Sequence, residues 1–419
     1  MKLLAILLLI IHPNIRLCAQ VADTTLANHL FNSGDSLLKA AQYDHSIHYF
    51  EKAGKMYLAA ASLIESAADI NQFSDRLWGK WLMCYNKIGY NYNLKGKYDK
   101  ALEYTNMALD TGLKKLGKHN LFVVNTYVYL GLVYWPKGEF DKALNCYEKA
   151  VDKQIGLLGK NHRSVAASYN NIGIIYYEKG DYDEALLFYQ QDLNINLKIL
   201  DPQHPSIART YSNIGNAYSG KREYDIALKF YRQSLNILLK AVGGQHPEVA
   251  VRYYNMGNVH ALLNDYDKAM KLYEKALPIL LNIFGDHHPD VANSYTNIGN
   301  AHNLIGDFQN AFRFQKKALE IYEDVFGNYH PDVGMVYYRI ADIYVNKRDL
   351  KMALESYQRS INALVKNFQE SNFYINPILK TIYRPGETPG IQGVQSNVNL
   401  LSTIIGKASV LEKKFDWKE

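Results

Sequence analysis

Five histidines recur at intervals of 42 residues, and the residue types around them could do chemistry. One of them lies in the stretch GDHHPDVANSYTNIGNAHNLIGDF, which begins at Gly285 and places His287 and His288 between Asp286 and Asp290. Imidazole and carboxylate groups side by side are what a zinc site or a catalytic base requires. The recurring histidines are His162, His204, His246, His288 and His330.

The regular spacing argues against a metal site. Packed helices lie about 8–10 Å apart, whereas zinc needs its nitrogen ligands at about 2.0–2.1 Å. Equivalent histidines of successive rows are therefore too far apart to share one ion. Four of the five precede proline, which favours the first turn of a helix. We predict that each histidine lies in a turn and helps to begin the next helix, with no metal and no cofactor.

The elements that position these residues emerge when the sequence is written in rows of 42 residues. Each row carries apolar residues at helical spacing in two stretches, which predicts two helices per row. A glycine column consists of Gly89, Gly131, Gly173, Gly215, Gly257 and Gly299. An alanine column consists of Ala101, Ala143, Ala185, Ala227, Ala269, Ala311 and Ala353.

The row that contains the opening stretch shows how one helix pair is specified. Pro289 suits the first turn of a helix because its missing N–H needs no partner there. A second helix is predicted from near Phe308 to Gly327, a residue suited to a left-handed cap. Gly299 and Ala311 are small enough to let the two helices approach closely, with tyrosine or phenylalanine filling the space beside them.

These columns resemble the tetratricopeptide repeat (TPR). Its L-G-x2-Y element is matched by Ile172, Gly173 and Tyr176, its central alanine by Ala185 and its later aromatic by Tyr189. The 42-residue period, with HP at the start of a row and NNIG or TNIG inside it, resembles the kinesin-light-chain-like type. The resemblance implies an all-α fold, a right-handed α-solenoid (superhelix) of antiparallel helix pairs.

The rows, together with the residues before and after them, divide the chain into five predicted segments. We expect a signal peptide at 1–19, a first TPR-like repeat with an extended connector at 20–75 and seven tandem 42-residue repeats at 76–369. An irregular spacer at 370–396 and the unpaired first helix of a truncated further repeat at 397–419 follow. The apolar face of that last helix would have no following helix to cover it; the face comprises Leu400, Leu401, Ile404, Ile405 and Leu411.

The first residues are typical of a signal peptide. Lys2 precedes an apolar run from Leu3 to Ile11, which is too short to span a bilayer of about 30 Å. We expect cleavage after Ala19 and export to the periplasm or the extracellular space. Lipoprotein anchoring at Cys18 is the less favoured alternative. The mature chain is expected to have no membrane span.

Composition and motifs favour a protein without catalytic activity. The net charge is +6, but basic and acidic residues alternate along the helices, so nucleic acid is not expected as a partner. The sequence contains no G-x-S-x-G, H-E-x-x-H or P-loop motif. Cys84 and Cys146 fall in helices of different repeats and are expected to be packed rather than nucleophilic.

Asparagine recurs within the first helix of each row. Because asparagine is a poor helix former, its recurrence inside a helix indicates a specific role. One column precedes the column glycine by two residues: Asn171, Asn213, Asn255 and Asn297. A second follows it by one residue: Asn216, Asn258 and Asn300. The resemblance implies that these positions line a concave groove and hold a peptide backbone, since an amide both donates and accepts. The alternative is that each asparagine bonds a neighbouring repeat and sets the stacking.

The sequence therefore predicts a protein–protein interaction scaffold that binds a peptide or a partner domain. The family's basic clamp for a carboxylate tail is poorly matched, because Arg209 and Arg339 are scattered. The irregular spacer after kinesin-light-chain-like rows resembles the N-terminal part of bacterial TPR proteins with a caspase-like CHAT domain. The alternative function is thus a regulatory or sensor arm of a CHAT protease system whose catalytic domain is absent from this chain.

Overall fold

The computed structural model describes residues 24–65, 71–365, 372 and 397–415, which form seventeen α-helices. The chain divides into two compact units, Met1–Pro202 and Gln203–Glu419. The predicted signal peptide and nearly all of the predicted spacer lie outside the described residues. No helix in the described ranges combines the length and the apolar character needed to cross a membrane.

Eight helices form the described part of the first unit. They are α1 (24–39), α2 (Tyr43–Glu65), α3 (Asn71–Leu94), α4 (Tyr98–Lys115), α5 (Leu121–Tyr134), α6 (Phe140–Leu158), α7 (Arg163–Lys179) and α8 (Tyr182–Ile199). From α2 onward each helix packs against the next one in the chain, and α3 also contacts α5. Successive helix pairs are the arrangement that the two-helix rows predict.

Nine helices form the described part of the second unit. They are α9 (Pro205–Gly220), α10 (Tyr224–Ala241), α11 (Pro247–Leu262), α12 (Tyr266–Phe284), α13 (Pro289–Leu304), α14 (Phe308–Phe326), α15 (Pro331–Asn346), α16 (Leu350–Leu364) and α17 (Asn397–Phe415). Neighbours in the chain again pack together, and α13 and α15 also contact each other. The all-α architecture of paired helices is confirmed.

The helix limits predicted for the opening row are also confirmed. Pro289 is the first residue of α13, α14 begins at Phe308, and Gly327 follows its end with φ 76°. Between the two helices Gly306 adopts φ 83°, a left-handed conformation that costs glycine little. In other rows this turn position holds an arginine or asparagine with φ near 60°; these are Arg222, Asn264 and Arg348.

The glycine column is explained by a tyrosine that lies directly against it. A Cβ atom on Gly173 would lie 2.6 Å from Tyr189, and one on Gly215 would lie 2.7 Å from Tyr231. The predicted close approach with an aromatic filler is therefore confirmed in these rows. Gly299 differs, because the buried side chain beside it is Gln315, whose Nε2 donates to the carbonyl of Thr296 at 3.0 Å.

The first repeat has the predicted register but a different connector. The Gly34 backbone lies against Phe50, and Ser46, in the alanine column, donates its hydroxyl to the Gly34 carbonyl at 2.9 Å. Helices α2 and α3 have 23 and 24 residues, more than any other helix that the structure describes. The extra residues therefore lengthen helices on both sides of 66–70, and the predicted boundary at residue 76 falls inside α3.

The last helix packs as the first helix of a following repeat would. Val410 is 2% exposed, and Ile404 packs against α16. Gly406 lies against Tyr357 of α16, much as the column glycines lie against a tyrosine. One face of α17 is thus covered by the preceding helix α16, whereas Ile405 is 59% exposed.

Candidate functional site

A cleft opens between two successive repeats of the second unit, and predicted site residues line it. It has a volume of about 440 Å³ and lies where α11, α12 and α13 meet. We call it the Asn–Tyr cleft; its lining comprises Tyr254, Asn258, Ala261, Leu262, Tyr273, Asn297, Asn300, Ala301 and Leu304. None of these side chains carries a charge, so the cleft suits neutral polar and apolar groups.

Two tyrosines hold two of the asparagines in place. Tyr273 of α12 donates its hydroxyl to Oδ1 of Asn258 at 2.8 Å, which ties the two helices of one repeat together. Asn297 of α13 donates its amide to the hydroxyl of Tyr254, which ties that repeat to the preceding one. These hydrogen bonds orient the side chains of Asn258 and Asn297, and with them the amide atoms that the tyrosines do not use.

Among the three asparagines that line the cleft, Asn300 is the one whose side chain is not hydrogen-bonded to a tyrosine. It is partly exposed, and its side-chain amide makes no hydrogen bond with any residue in the described ranges. Both its donor and its acceptor are therefore available to a ligand. Leu262 and Leu304, at the ends of α11 and α13, are 57% and 46% exposed and supply the apolar part of the cleft.

Burial keeps the phenol groups of the cleft protonated. Tyr273 is 2% exposed, and loss of solvation raises its pKa well above the ordinary value. Desolvation also raises the pKa of Tyr254, although its bond with Asn297 works in the opposite direction. Both tyrosines therefore serve as hydrogen-bonding hydroxyls and not as bases at neutral pH.

The other predicted asparagines lie outside this cleft. Asn216 of α9 accepts hydrogen bonds from the hydroxyl of Tyr231 at 2.7 Å and from the amide of Asn255 at 3.4 Å. It therefore links α9 to α10 of its own repeat and to α11 of the next repeat. Asn213 lies on the same helix as Asn216, while Asn171 belongs to the first unit. The arrangement supports the stacking role for Asn216 and Asn255.

Sequence reasoning missed the tyrosines and leucines of the cleft. Tyr254 stands in a variable column that also holds Asn86, Val128, Asn170, Ser212, Thr296 and a second tyrosine, Tyr338, so the column gave no signal for a role in the cleft. From the sequence, the aromatic at the position of Tyr273 is expected only to fill space. A column of aromatic residues does not show which tyrosine hydroxyl forms a hydrogen bond with an asparagine. Tyr273 and its partner Asn258 are 15 residues apart in the chain, and Tyr254 and its partner Asn297 are 43 apart.

The histidine column has the structural role predicted for it. Nδ1 of each histidine accepts the backbone N–H two residues further on, at 3.1–3.3 Å, and so caps the helix that follows. His288 and His330 also stack on Phe284 and Phe326 of the preceding helix, at 4.2 Å and 4.1 Å between ring centroids. The prediction of a helix-starting turn residue is confirmed.

Replacing His246 with alanine should lower the free energy of unfolding by about 1 kcal/mol, because a capping acceptor at the start of α11 is lost. His246→Asn should retain most of the stability, since asparagine is among the preferred capping residues. Urea unfolding of the two variants measures the difference. Equal loss in both would show that the imidazole ring, and not the cap, stabilises the turn.

Groups of other chemistry do not assemble in the described part of the chain. Three or more histidine, cysteine, aspartate or glutamate side chains placed to hold a metal ion are not found there. Burial raises the pKa of Cys84 far above its usual value and that of Cys146 to about 11. Both thiols are therefore protonated and poor nucleophiles at neutral pH.

Comparison with known families gives one match. The family described as the tetratricopeptide repeat matches residues 81–154, 122–198, 206–282, 253–324 and 290–364, which together span more than half of the chain. No curated protein sequence matches significantly.

Similar solved structures are repeat proteins of several kinds. A Rap protein complexed with competence and sporulation factor is 14% identical over 80% of this chain and 86% of its own, with a TM-score of 0.53. The signal transduction ATPase PH0952 from Pyrococcus horikoshii, which has a tetratricopeptide repeat sensor, is 17% identical over 77% of this chain and 52% of its own, with a TM-score of 0.54. Kinesin-light-chain-like repeats from Podosopora anserina are 21% identical over 48% of this chain and 96% of theirs, with a TM-score of 0.42.

Proposed function

Because the chain belongs to the tetratricopeptide repeat family, we propose that it is a non-enzymatic scaffold whose Asn–Tyr cleft holds an extended segment of a partner protein. The observation that carries the proposal is Asn300, a partly exposed amide that lines the cleft without a hydrogen bond to the described residues. Around it lie amides and hydroxyls whose geometry is already fixed by Asn258, Tyr273, Asn297 and Tyr254.

The chemistry of the cleft matches an extended peptide. Each peptide unit offers one N–H and one carbonyl, and an asparagine amide can satisfy both at once. Leu262 and Leu304 can bury an apolar side chain of the same segment. The lining contains no lysine or arginine, so a terminal carboxylate has no partner there, in agreement with the poorly matched basic clamp.

Peptides selected from a random twelve-residue display library on the wild-type protein test the proposal. Asn300→Ala should weaken binding of the selected peptides by up to about tenfold, the loss of one neutral hydrogen bond of about 0.5–1.5 kcal/mol. Its thermal melt should be unchanged, because the side chain of Asn300 has no hydrogen bond within the described structure to lose.

The matched control is Asn216→Ala, on a neighbouring repeat. That variant removes the acceptor of Tyr231 and Asn255 and should lower the melting temperature while leaving the affinity of the folded protein unchanged. The proposal fails if Asn300→Ala binds as tightly as the wild type, or if the library yields no peptide that competes for the cleft.

The second candidate function is the sensor arm of a caspase-like CHAT protease system. It is supported by the irregular stretch after residue 369 that follows the kinesin-light-chain-like rows, and the fold that this chain shares with an ATPase carrying a tetratricopeptide repeat sensor is compatible with it. In this case the partner would be a protease domain on another chain. Cross-linking from a photoreactive residue at position 304 in the source cell would identify a cysteine protease, whereas partners of any other class would contradict this candidate.

We also propose that the protein is exported, on the strength of the apolar run after Lys2. The intact mass of protein recovered from the source cell should correspond to a chain that begins at or near Gln20. A lipid-modified chain beginning at Cys18 would indicate anchoring instead. Recovery of a cytosolic species that retains Met1 would contradict export.

A further inference from the structure

A ladder of ion pairs links successive repeats of the first unit. The lysine six residues after the column glycine reaches back to an aspartate in the first turn of the preceding repeat's second helix. Lys137 lies 3.0 Å from Asp99, and Lys179 lies 3.3 Å from Asp141. Lys95 pairs with Asp44 in the same way.

The second unit breaks this ladder in two successive repeats. The lysine position is occupied by Leu263 in one row and by Ile305 in the next, while the aspartates opposite remain as Asp225 and Asp267. Both aspartates are exposed, and neither forms an ion pair within the described residues. Asp225 and Asp267 thus occupy the positions of the paired aspartates, but the residue opposite each of them is apolar instead of a lysine.

The replacing side chains are exposed rather than buried. Leu263 is 42% exposed and Ile305 is 46% exposed. Each follows a leucine that is itself exposed, Leu262 and Leu304. Exposed surface ion pairs contribute only about 0–1 kcal/mol, so the fold tolerates the loss of the lysines. Large apolar side chains exposed together are, however, typical of a surface that contacts another molecule.

We infer that Asp225, Leu263, Asp267 and Ile305 form a docking edge for a partner protein segment that carries lysine or arginine beside an apolar side chain. The chain's own repeats show what these carboxylates accept, since an ammonium group lies 3.0 Å from the equivalent Asp99. The apolar side chains of the partner contact Leu263 and Ile305. An anionic membrane surface does not fit, because the two carboxylates would repel it.

The docking edge is a surface additional to the Asn–Tyr cleft. None of its four residues lines the cleft, and its chemistry differs, because it selects for positive charge whereas the cleft is neutral. The proposed function does not require it, and the two surfaces can be tested separately by substitutions that leave the other unchanged.

Synthetic fluorescent peptides of alternating leucine and lysine probe the edge by fluorescence anisotropy. The wild-type protein should bind them at least tenfold more tightly than matched leucine–glutamate or serine–lysine peptides, with affinity falling as salt is raised. Leu263→Lys combined with Ile305→Lys should reduce binding at least tenfold, because the restored lysines occupy both carboxylates. The thermal melt should not fall.

Two further variants keep the test decisive. Asp225→Asn combined with Asp267→Asn should remove the preference for lysine over glutamate, even if the lysine variant does not fold. Lys137→Leu combined with Lys179→Leu should create a similar edge in the first unit and increase binding. Wild-type affinity in the folded Leu263→Lys, Ile305→Lys variant, or equal binding of serine–lysine and leucine–lysine peptides, would overturn the inference.

Discussion

Replacing Gly257 with valine is expected to lower the free energy of unfolding by about 3 kcal/mol, the upper part of the usual cost of overpacking. A Cβ atom at this position would lie 2.5 Å from Cε1 of Tyr273. The tyrosine ring cannot easily retreat, because it is 2% exposed and its hydroxyl is bonded to Asn258 at 2.8 Å. Helices α11 and α12 would have to separate, and the Asn–Tyr cleft would lose its shape with them.

Gly156→Val is the matched control. Gly156 lies in α6 with no atom within 4 Å of the added Cβ, so valine there should be neutral or slightly stabilising through its better helix propensity. Urea unfolding of both variants, together with binding of cleft-selected peptides, measures the effect. Wild-type stability of Gly257→Val would show that the two helices do not need their close approach.

Replacing Gln358 with leucine should release α17 from α16. Lys407 of α17 is fully buried, and its ammonium donates to Oε1 of Gln358 at 2.6 Å. Losing a hydrogen bond to a charged group costs about 1.5–3 kcal/mol, because leucine offers the buried ammonium no acceptor. Amide exchange of residues 397–415 should then accelerate by about ten- to a hundredfold, since each 1.4 kcal/mol is a factor of ten.

The double variant Gln358→Leu with Lys407→Met separates charge from packing. Replacing both partners by apolar groups of similar volume is often neutral, so exchange in α17 should return close to the wild-type rate. Exchange in α9–α13 serves as the internal reference and should not change, since α15 itself contacts α17. Unaltered exchange in the Gln358→Leu variant, or failure of the double variant to recover, would contradict the assigned role of this pair.

The sequence alone determined the helix pairs and how each one begins and packs. These features depend on local physics that repeats every 42 residues. Proline and histidine at the start of a helix, glycine in the turn, and glycine opposite tyrosine each act within one row, so a column of one residue type was sufficient to recognise them. His288 could be assigned to a cap rather than a metal because its spacing alone placed it far from His246.

Tertiary structure decided which polar groups are satisfied and which remain available. Seven asparagines in two columns look alike in the sequence, yet the side chain of Asn216 has two hydrogen-bond partners while that of Asn300 has none within the described residues. The distinction depends on Tyr231, Asn255 and their counterparts in adjacent helices. Those contacts join residues up to 43 positions apart and are set by the packing of one repeat on the next, which no single row encodes.

The same reason explains the outcome for α17. Its sequence contains apolar residues and three lysines, and the pattern alone did not show which of these side chains are buried. Only the packing of α17 on α16 shows that Lys407 points inward to Gln358 while Ile405 points outward. Helical periodicity determined that this segment is a helix, but the identity of its buried face was decided by the side chains that the neighbouring helix presents to it.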